Sequence, residues 1–170
     1  MANGDLDQVK KLVNSGTDVN KRNNWGRAAL HLVAQGNLVA VGERPIPTDE
    51  LTYIAEFLIA HGANVNARDH FGYTPLCVAA EANNYKVAKV LISHRAETSA
   101  TIDRFAITPL HTSAGNGDFQ LSKLLVENGA QVDAQDDRGE TPLHHAVLYY
   151  YCDPKKESKD VIELLLKNGA

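Results

Sequence analysis

Apolar residues recur along this chain in short clusters with helical spacing, separated by polar stretches that contain glycine. In one such cluster, Val87, Val90 and Leu91 would share one face of a helix. Similar clusters are Val9, Leu12 and Val13; Leu121, Leu124, Leu125 and Val126; and Ile162, Leu164, Leu165 and Leu166. A glycine soon follows three of these clusters, where a helix can end in a left-handed residue. The pattern therefore predicts a series of short amphipathic helices.

Two phrases repeat along the chain at a fixed interval. Thr-Pro-Leu-His stands at positions 108–111 and returns at 141–144, a period of 33 residues, with weaker copies at 74–77 and 28–31. A second phrase, Gly-Ala-x-Val-Asn or a variant of it, keeps step and begins at Gly16, Gly62, Arg95, Gly129 and Gly169. Self-similarity at this period indicates a stack of small helical units rather than one globular core.

These phrases resemble the ankyrin repeat, with its Thr-Pro-Leu-His opening, paired leucines and Gly-Ala-x-Val-Asn close. The resemblance covers nearly the whole chain. It implies an all-α solenoid in which nine helices are linked by β-turn fingers, in a single domain over residues 1–170. The units are a half repeat at 1–22 and full repeats at 23–68, 69–102, 103–135 and 136–170.

The repeated residues have local physical roles that support this organisation. Threonine before proline is typical of a helix start, because the hydroxyl can cap free N–H groups and proline suits the first helical position. The fingers are predicted at 23–27, 69–73, 103–107 and 136–140, where Asp69, Asp103 and Asp136 are expected to form the turns. Ala106 replaces the glycine of the other fingers, so we expect a turn there that is either strained or differently shaped.

Two insertions depart from the repeat, and so does one junction between repeats, which we call the seam, at Arg95 between repeats 69–102 and 103–135. The first insertion, residues 37–50, predicts an extended loop followed by a helix start at Thr48; the second, 149–157, predicts a tyrosine-rich loop with Ser158 capping the next helix. Both are expected at the edge opposite the fingers, either as tolerated loop drift or as binding loops. Arg95 replaces a helix-ending glycine, which predicts that the array opens first between repeats 69–102 and 103–135.

Composition and charge exclude several classes of protein. The net charge is −4 and no basic run is present, which argues against a nucleic-acid partner. No apolar stretch reaches 18 residues, and the first residues do not form a signal peptide, so we expect neither a membrane span nor a leader. Cys77, expected in the core, and Cys152, expected to be exposed, are two lone thiols that favour a reducing, intracellular and most simply cytoplasmic location. Secretion of a bacterial effector into a host cell stays open.

The finger positions hold the candidate partner-binding residues. The resemblance implies that the third and fifth finger positions point outward and that partners dock along the fingers and the inner helices. Exposed aromatic and arginine side chains are the usual anchors of protein interfaces, although the rings could instead pack on neighbouring fingers. The candidates are Trp25, Arg27, Phe71, Tyr73, Phe105, Ile107, Arg138 and Glu140, with Tyr149 and Tyr150 from the second insertion.

No catalytic, metal or cofactor site is predicted. The histidines of the repeat are interpreted as structural, since His31, His111 and His144 recur only because the repeat recurs. The remaining histidines lack metal-ligand spacing, and no nucleophile or phosphate-loop motif is present. One possible modification follows from the resemblance alone: Asn20 and Asn66 match the asparagine hydroxylated in many animal ankyrin repeats.

The predicted function is a protein–protein interaction scaffold that binds a protein partner through its concave finger and inner-helix surface. A targeting or regulatory module cut from a larger enzyme or secreted effector is the first alternative, and a structural spacer is the second. The chain is not expected to be an enzyme and is expected to be a monomer. The last repeat stops without a polar cap, which suggests a fragment of a longer protein.

Overall fold

Short helices dominate the part of the chain that the computed structural model describes, residues 4–36, 46–152 and 156–170. Nine helices and no strand are found within these ranges, in agreement with the all-α prediction. None of the helices in these ranges is long and apolar enough to cross a membrane. The helices are α1 Gly4–Asn14, α2 Ala29–Gln35, α3 Thr48–Ala60, α4 Pro75–Glu81, α5 Tyr85–Ser93, α6 Pro109–Gly115, α7 Phe119–Glu127, α8 Pro142–Cys152 and α9 Lys156–Lys167.

The helix starts follow from the repeated phrase. Thr74 and Thr108 precede α4 and α6, and their hydroxyl oxygens accept the backbone N–H groups of Cys77 and His111. Proline is the first residue of both helices, where its missing N–H leaves no hydrogen bond unmade. Each short helix can therefore begin at a fixed residue although it is only two turns long.

The helices stack in two layers. The first helices of the repeats, α2, α4, α6 and α8, pack in sequence against one another, and α1, α3, α5, α7 and α9 do the same behind them. Between the layers lies one continuous core, in which leucines of both layers are fully buried. Burial of each such side chain contributes roughly 1.5–3 kcal/mol. No single repeat could bury these residues alone, so the stack is stabilised between neighbours.

The fingers are joined by one backbone hydrogen bond at each step. The aromatic residue at the third finger position accepts an N–H from the next finger: His70 N to Trp25 O is 3.0 Å, Asp103 N to Phe71 O is 3.3 Å, and Asp137 N to Phe105 O is 3.0 Å. Within a finger, the Asp69 carboxylate accepts the N–H groups of Phe71 and Tyr73. Asn23 and Asp136 make the same pair of bonds in their own fingers.

The third finger departs from this plan, and the prediction for Asp103 was wrong. The finger closes from Ile102 N to Ile107 O, one residue longer than the others, so Ile102 stands in the place of the turn-forming Asp. Asp103 is exposed and pairs with Arg68 instead. Ala106 has a φ of 52°, which confirms the strain expected from the loss of glycine.

The two insertions have different outcomes. Residues 37–45 of the first lie outside the described residues, while α3 begins at Thr48 as predicted. The predicted tyrosine loop is wrong in its first part, because α8 continues to Cys152 and places Tyr149 and Tyr150 in a helix. Nothing breaks the helical pattern before Pro154, which disfavours helix at the residue before it. Because α9 begins at Lys156, Ser158 lies in its first turn and does not cap it.

Candidate functional site

Three aromatic rings stand out from successive fingers. The exposed fractions of Trp25, Phe71 and Phe105 are 63%, 54% and 46%, so none of the rings is packed inward. One cleft is lined by Trp25, Phe71 and Leu32. A second cleft separates Phe71 from Phe105 and includes Arg104. Together the rings and clefts make an aromatic strip, defined here as Trp25, Phe71 and Phe105 with the two clefts between them.

The polar candidates beside the aromatic strip are held in place by hydrogen bonds. Arg27 Nε donates to Asp69 Oδ2 at 3.0 Å, so this guanidinium is already partly neutralised. The Tyr73 hydroxyl donates to Glu81 Oε1 at 3.0 Å, and partial burial together with this carboxylate raises the pKa of Tyr73 to about 12. Tyr73 is therefore a neutral donor at any physiological pH, with a fixed orientation.

Helix α8 places the tyrosines of the second insertion in different environments. Tyr149 is half-buried, and a Cβ added at Gly117 would come within 2.6 Å of its ring. Gly117, with a φ of 68°, thus permits this close packing between α8 and the turn after α6. Tyr150 is 39% exposed, and its neighbour Tyr151, which the sequence did not single out, is 87% exposed.

A second apolar surface, also missed from the sequence, lies at the last repeat. It forms a groove that we call the end groove, and Val147 and Leu148 are 48% and 64% exposed there. The signal was present, since Val147 occupies the place of alanines that are fully buried in earlier repeats. The predicted residues Arg138 and Glu140 also line this groove. The end groove consists of Arg138, Glu140, Leu143, His144, His145, Val147, Leu148 and Tyr151.

Two of the recurring histidines are structural, as expected. His31 and His111 are fully buried, and Nε2 of each lies 3.0 Å from a finger carbonyl of the next repeat, Tyr73 O and Glu140 O respectively. Nδ1 of each accepts a backbone N–H at its own helix start. Burial lowers the pKa of both histidines, so they stay neutral near pH 7. Cys77 takes this place in the second repeat and is buried, whereas Cys152 is exposed; both outcomes were predicted.

The last repeat brings together three ionisable side chains that the sequence did not connect. His145 Nε2 lies 3.0 Å from Asp136 Oδ2 and 3.8 Å from Glu140 Oε2. Burial acts to raise the pKa of Asp136, but the hydrogen bonds from His145 and from the N–H groups of Glu140 and Arg138 outweigh it, and the net pKa is lowered. Asp136 therefore remains a carboxylate well below neutral pH.

Asn20 and Asn66 take part in contacts between repeats. Asn20 Nδ2 donates to Gly62 O at 2.8 Å, and its Oδ1 accepts the N–H of Asn64. Asn66 Oδ1 accepts the N–H of Glu97 at 2.9 Å in the next repeat. These bonds give both asparagines a structural role, and their hydroxylation stays a prediction.

The repeat geometry and the sequence agree on one class of protein. A model of ankyrin repeats in three copies matches residues 1–103 and again 100–170, so the chain belongs to the ankyrin-repeat family. Domains of this family are generally non-catalytic modules for protein interaction. This agrees with the two-layered helical stack and with its hydrogen-bonded fingers.

Relatives of this chain include regulatory proteins and a protein kinase, and two of them are much longer than this chain. It is 37% identical to the RelA-associated inhibitor of Mus musculus over 98 residues, 58% of this chain and 10% of that protein. It is 34% identical to serine/threonine-protein kinase 12 of Arabidopsis thaliana over 95 residues, 55% of this chain and 18% of that protein. Protein phosphatase 1 regulatory subunit 27 of Homo sapiens is 32% identical over 102 residues, which are 59% of this chain and 57% of that protein. The matched region thus spans only part of each relative.

Proposed function

We propose that this chain is a scaffold that binds a protein partner along its fingers and first helices, without catalysis of its own. The observation that carries the proposal is the aromatic strip, whose three rings face solvent on successive fingers. Apolar surface of this kind favours a binding role, because solvent-exposed rings gain free energy when a partner covers them. Arg138 and Glu140 would add polar contacts at the end of the strip.

The strip can be tested by removing its rings one at a time. Trp25→Ala and Phe71→Ala should each weaken partner binding by more than about 1 kcal/mol, roughly a fivefold rise in Kd, if the rings are anchors. Affinity capture with the wild-type array, read by mass spectrometry, identifies the partner, and calorimetric titration then measures each variant. Tyr53→Ala is the matched control, because Tyr53 is similarly exposed but lies on α3, in the second layer. Unchanged affinity in folded Trp25 and Phe71 variants would refute the assignment.

Two alternatives lead to different expectations. A regulatory or targeting module within a larger protein is favoured by the great length of two of these relatives, one of which is a kinase. In that case the strip still binds a protein, and the segment that it regulates belongs to the same polypeptide. A structural spacer would have its finger rings packed inward and no specific partner, so the exposure of Trp25 and Phe71 speaks against it. The two free cysteines favour an intracellular site for either scaffold or module.

A further inference from the structure

Three metal-ligating side chains converge at one end of the finger row. Asp136 comes from the first position of the fourth finger, Glu140 from its last position, and His145 from the first turns of α8. One ligand atom from each of the three side chains lies within 4.8 Å of the other two. The shortest separation, 3.0 Å, joins His145 Nε2 to Asp136 Oδ2.

This cluster replaces an arrangement found elsewhere in the same array. In the second finger, the carboxylate of Asp69 is neutralised by Arg27, which occupies the fifth position of the preceding finger. The corresponding residue before Asp136 is Ile107, which carries no charge. The carboxylate of Asp136 therefore faces an imidazole and a second carboxylate where Asp69 faces a guanidinium.

His145 itself is a departure from the repeat. It directly follows the Thr-Pro-Leu-His phrase, at a place held by Leu32, Val78 and Thr112 in the other repeats. None of those side chains is a nitrogen ligand, so His145 is not explained by the recurrence that explains His31 and His111. Its ring is steadied by an edge contact with the His111 ring, with centroids 5.1 Å apart.

We propose that Asp136, Glu140 and His145 form a binding site for a divalent transition-metal ion of the Zn²⁺ type. Imidazole nitrogen and carboxylate oxygen are accepted ligands of such ions, at about 2.0–2.2 Å from the metal. Two ligands at that distance lie roughly 3.0–3.4 Å apart in octahedral or tetrahedral geometry. His145 Nε2 lies 3.0 Å from Asp136 Oδ2 and 3.8 Å from Glu140 Oε2, and the carboxylates of Asp136 and Glu140 offer oxygens within 4.8 Å of each other, so a shift of the half-exposed Glu140 side chain would close the site.

The surroundings prepare the ligands for this task. Asp136 Oδ1 accepts the N–H groups of Arg138 and Glu140, both at 2.9 Å, which holds Oδ2 toward His145. Such outer hydrogen bonds orient metal ligands and maintain their charge. The Asp136 side chain is only 3% exposed, whereas that of Glu140 is 41% exposed, so an ion can enter from the side of the end groove. The ion binds neutral His145 through the lone pair of Nε2, with the ring proton on Nδ1, and a water or a partner's side chain can take the open coordination position.

Calorimetric titration with Zn²⁺ tests the site in a Cys152→Ser background, which removes the exposed thiol as a competing ligand. We expect one Zn²⁺ to bind per chain. His145→Leu, which introduces the residue that the first repeat carries at this place, should weaken Zn²⁺ binding at least tenfold. Glu140→Gln should do the same. His94→Gln is the control, because His94 is exposed at the end of α5. The Zn²⁺ affinity of this variant should be unchanged.

Nuclear magnetic resonance of the histidine rings identifies the ligand directly. Substoichiometric Zn²⁺ should shift the ring signals of His145 and leave those of His61 and His94 in place. The absence of saturable binding at millimolar Zn²⁺ would overturn the proposal, as would a Zn²⁺ affinity in the His145→Leu and Glu140→Gln variants equal to that of the unsubstituted background. If His145→Leu does not fold, Glu140→Gln decides the question, because the bonds of Glu140 to its finger and to His111 use its backbone.

Discussion

At the scale of single residues, the recurring histidine shows how the repeat uses a neutral imidazole. His111 accepts the Thr108 N–H at Nδ1 and donates from Nε2 to Glu140 O, so its two nitrogens have opposite roles. A second proton on Nδ1 would face an N–H group and lose that hydrogen bond. Burial, opposed by the bond to Glu140, lowers the pKa of His111 below 6.5, and the same holds for His31 with Tyr73.

This arrangement predicts that the free energy of unfolding falls as the pH drops below about 6.5. Below this pH the histidines of the unfolded chain bind protons while His31 and His111 of the folded chain stay neutral. Their full contribution to the free energy of unfolding is therefore present above the pKa of the unfolded chain, and it is lost as the pH falls toward the lower pKa of the folded chain. Urea unfolding of wild type at pH 7.5 and 5.5 should show this loss. His111→Cys, which introduces the residue of the second repeat, should reduce the pH dependence and cost about 1–3 kcal/mol at pH 7.5. His144→Gln, at the exposed copy of this place, is the control and should cost less free energy of unfolding at pH 7.5.

At the scale of elements, the helices end without backbone strain where a glycine adopts positive φ, and with strain where another residue does. Gly62 and Gly129 adopt φ values of 87° and 84° after α3 and α7, but the same place after α5 is held by Arg95, with φ 64°. A side chain at positive φ costs roughly 1 kcal/mol. The strain expected from the sequence at Arg95 is thus confirmed in the backbone.

Replacement of Arg95 by glycine should therefore stabilise the array. Arg95→Gly is expected to raise the free energy of unfolding by about 0.5–1 kcal/mol, because the relieved backbone strain exceeds the added entropy of the unfolded chain. The reverse change, Gly129→Ala, should destabilise by a similar amount, since a Cβ there meets nothing within 4 Å and only the backbone term acts. Chemical denaturation measures both variants. A destabilised Arg95→Gly variant would show that the side chain makes a contact worth more than the strain.

At the scale of the whole molecule, the departures from the repeat gather at one interface, between repeats 69–102 and 103–135. At this interface Cys77 stands where His31 and His111 each reach a finger carbonyl of the next repeat at 3.0 Å, and its Sγ lies 3.7 Å from Ala100 O, which is within its own repeat. The finger bond is 3.3 Å here and 3.0 Å elsewhere. Thr98 Oγ1 donates to Asn128 O across this interface at 3.4 Å, against 2.8 Å for the bond from Asn20 Nδ2 to Gly62 O across the first interface.

We therefore expect the array to open first at this interface, before it unfolds as a whole. Native-state hydrogen exchange should give the lowest opening free energy for amides from Ala96 to Ala106 and for the helix ends that flank them. The interface between repeats 103–135 and 136–170, which keeps its histidine bond, provides the internal comparison. Uniform protection across both interfaces would contradict the prediction and would mean that bonds across the seam, such as that from Asn116 to Asn83, compensate.

Periodicity made most of the architecture predictable. The helix starts at Pro75, Pro109 and Pro142 and the turns at Asp69 and Asp136 all follow from local chemistry, which acts over a few residues and is therefore legible in the sequence. The same periodicity gave a wrong prediction at Asp103. The third finger is one residue longer than the others, so Asp103 keeps its place in the sequence repeat but Ile102, not Asp103, closes the turn.

The sequence by itself determined the fold, the stacking of the repeats and the structural role of the buried histidines, because each is set by a short repeated pattern. Only the tertiary structure decided which departures from the pattern meet in space. It placed Tyr149 against Gly117, exposed the end groove at Val147 and Leu148, and brought His145 to Asp136 and Glu140. These outcomes depend on how a finger and two helices pack, and such distances between elements are not encoded in any single local motif.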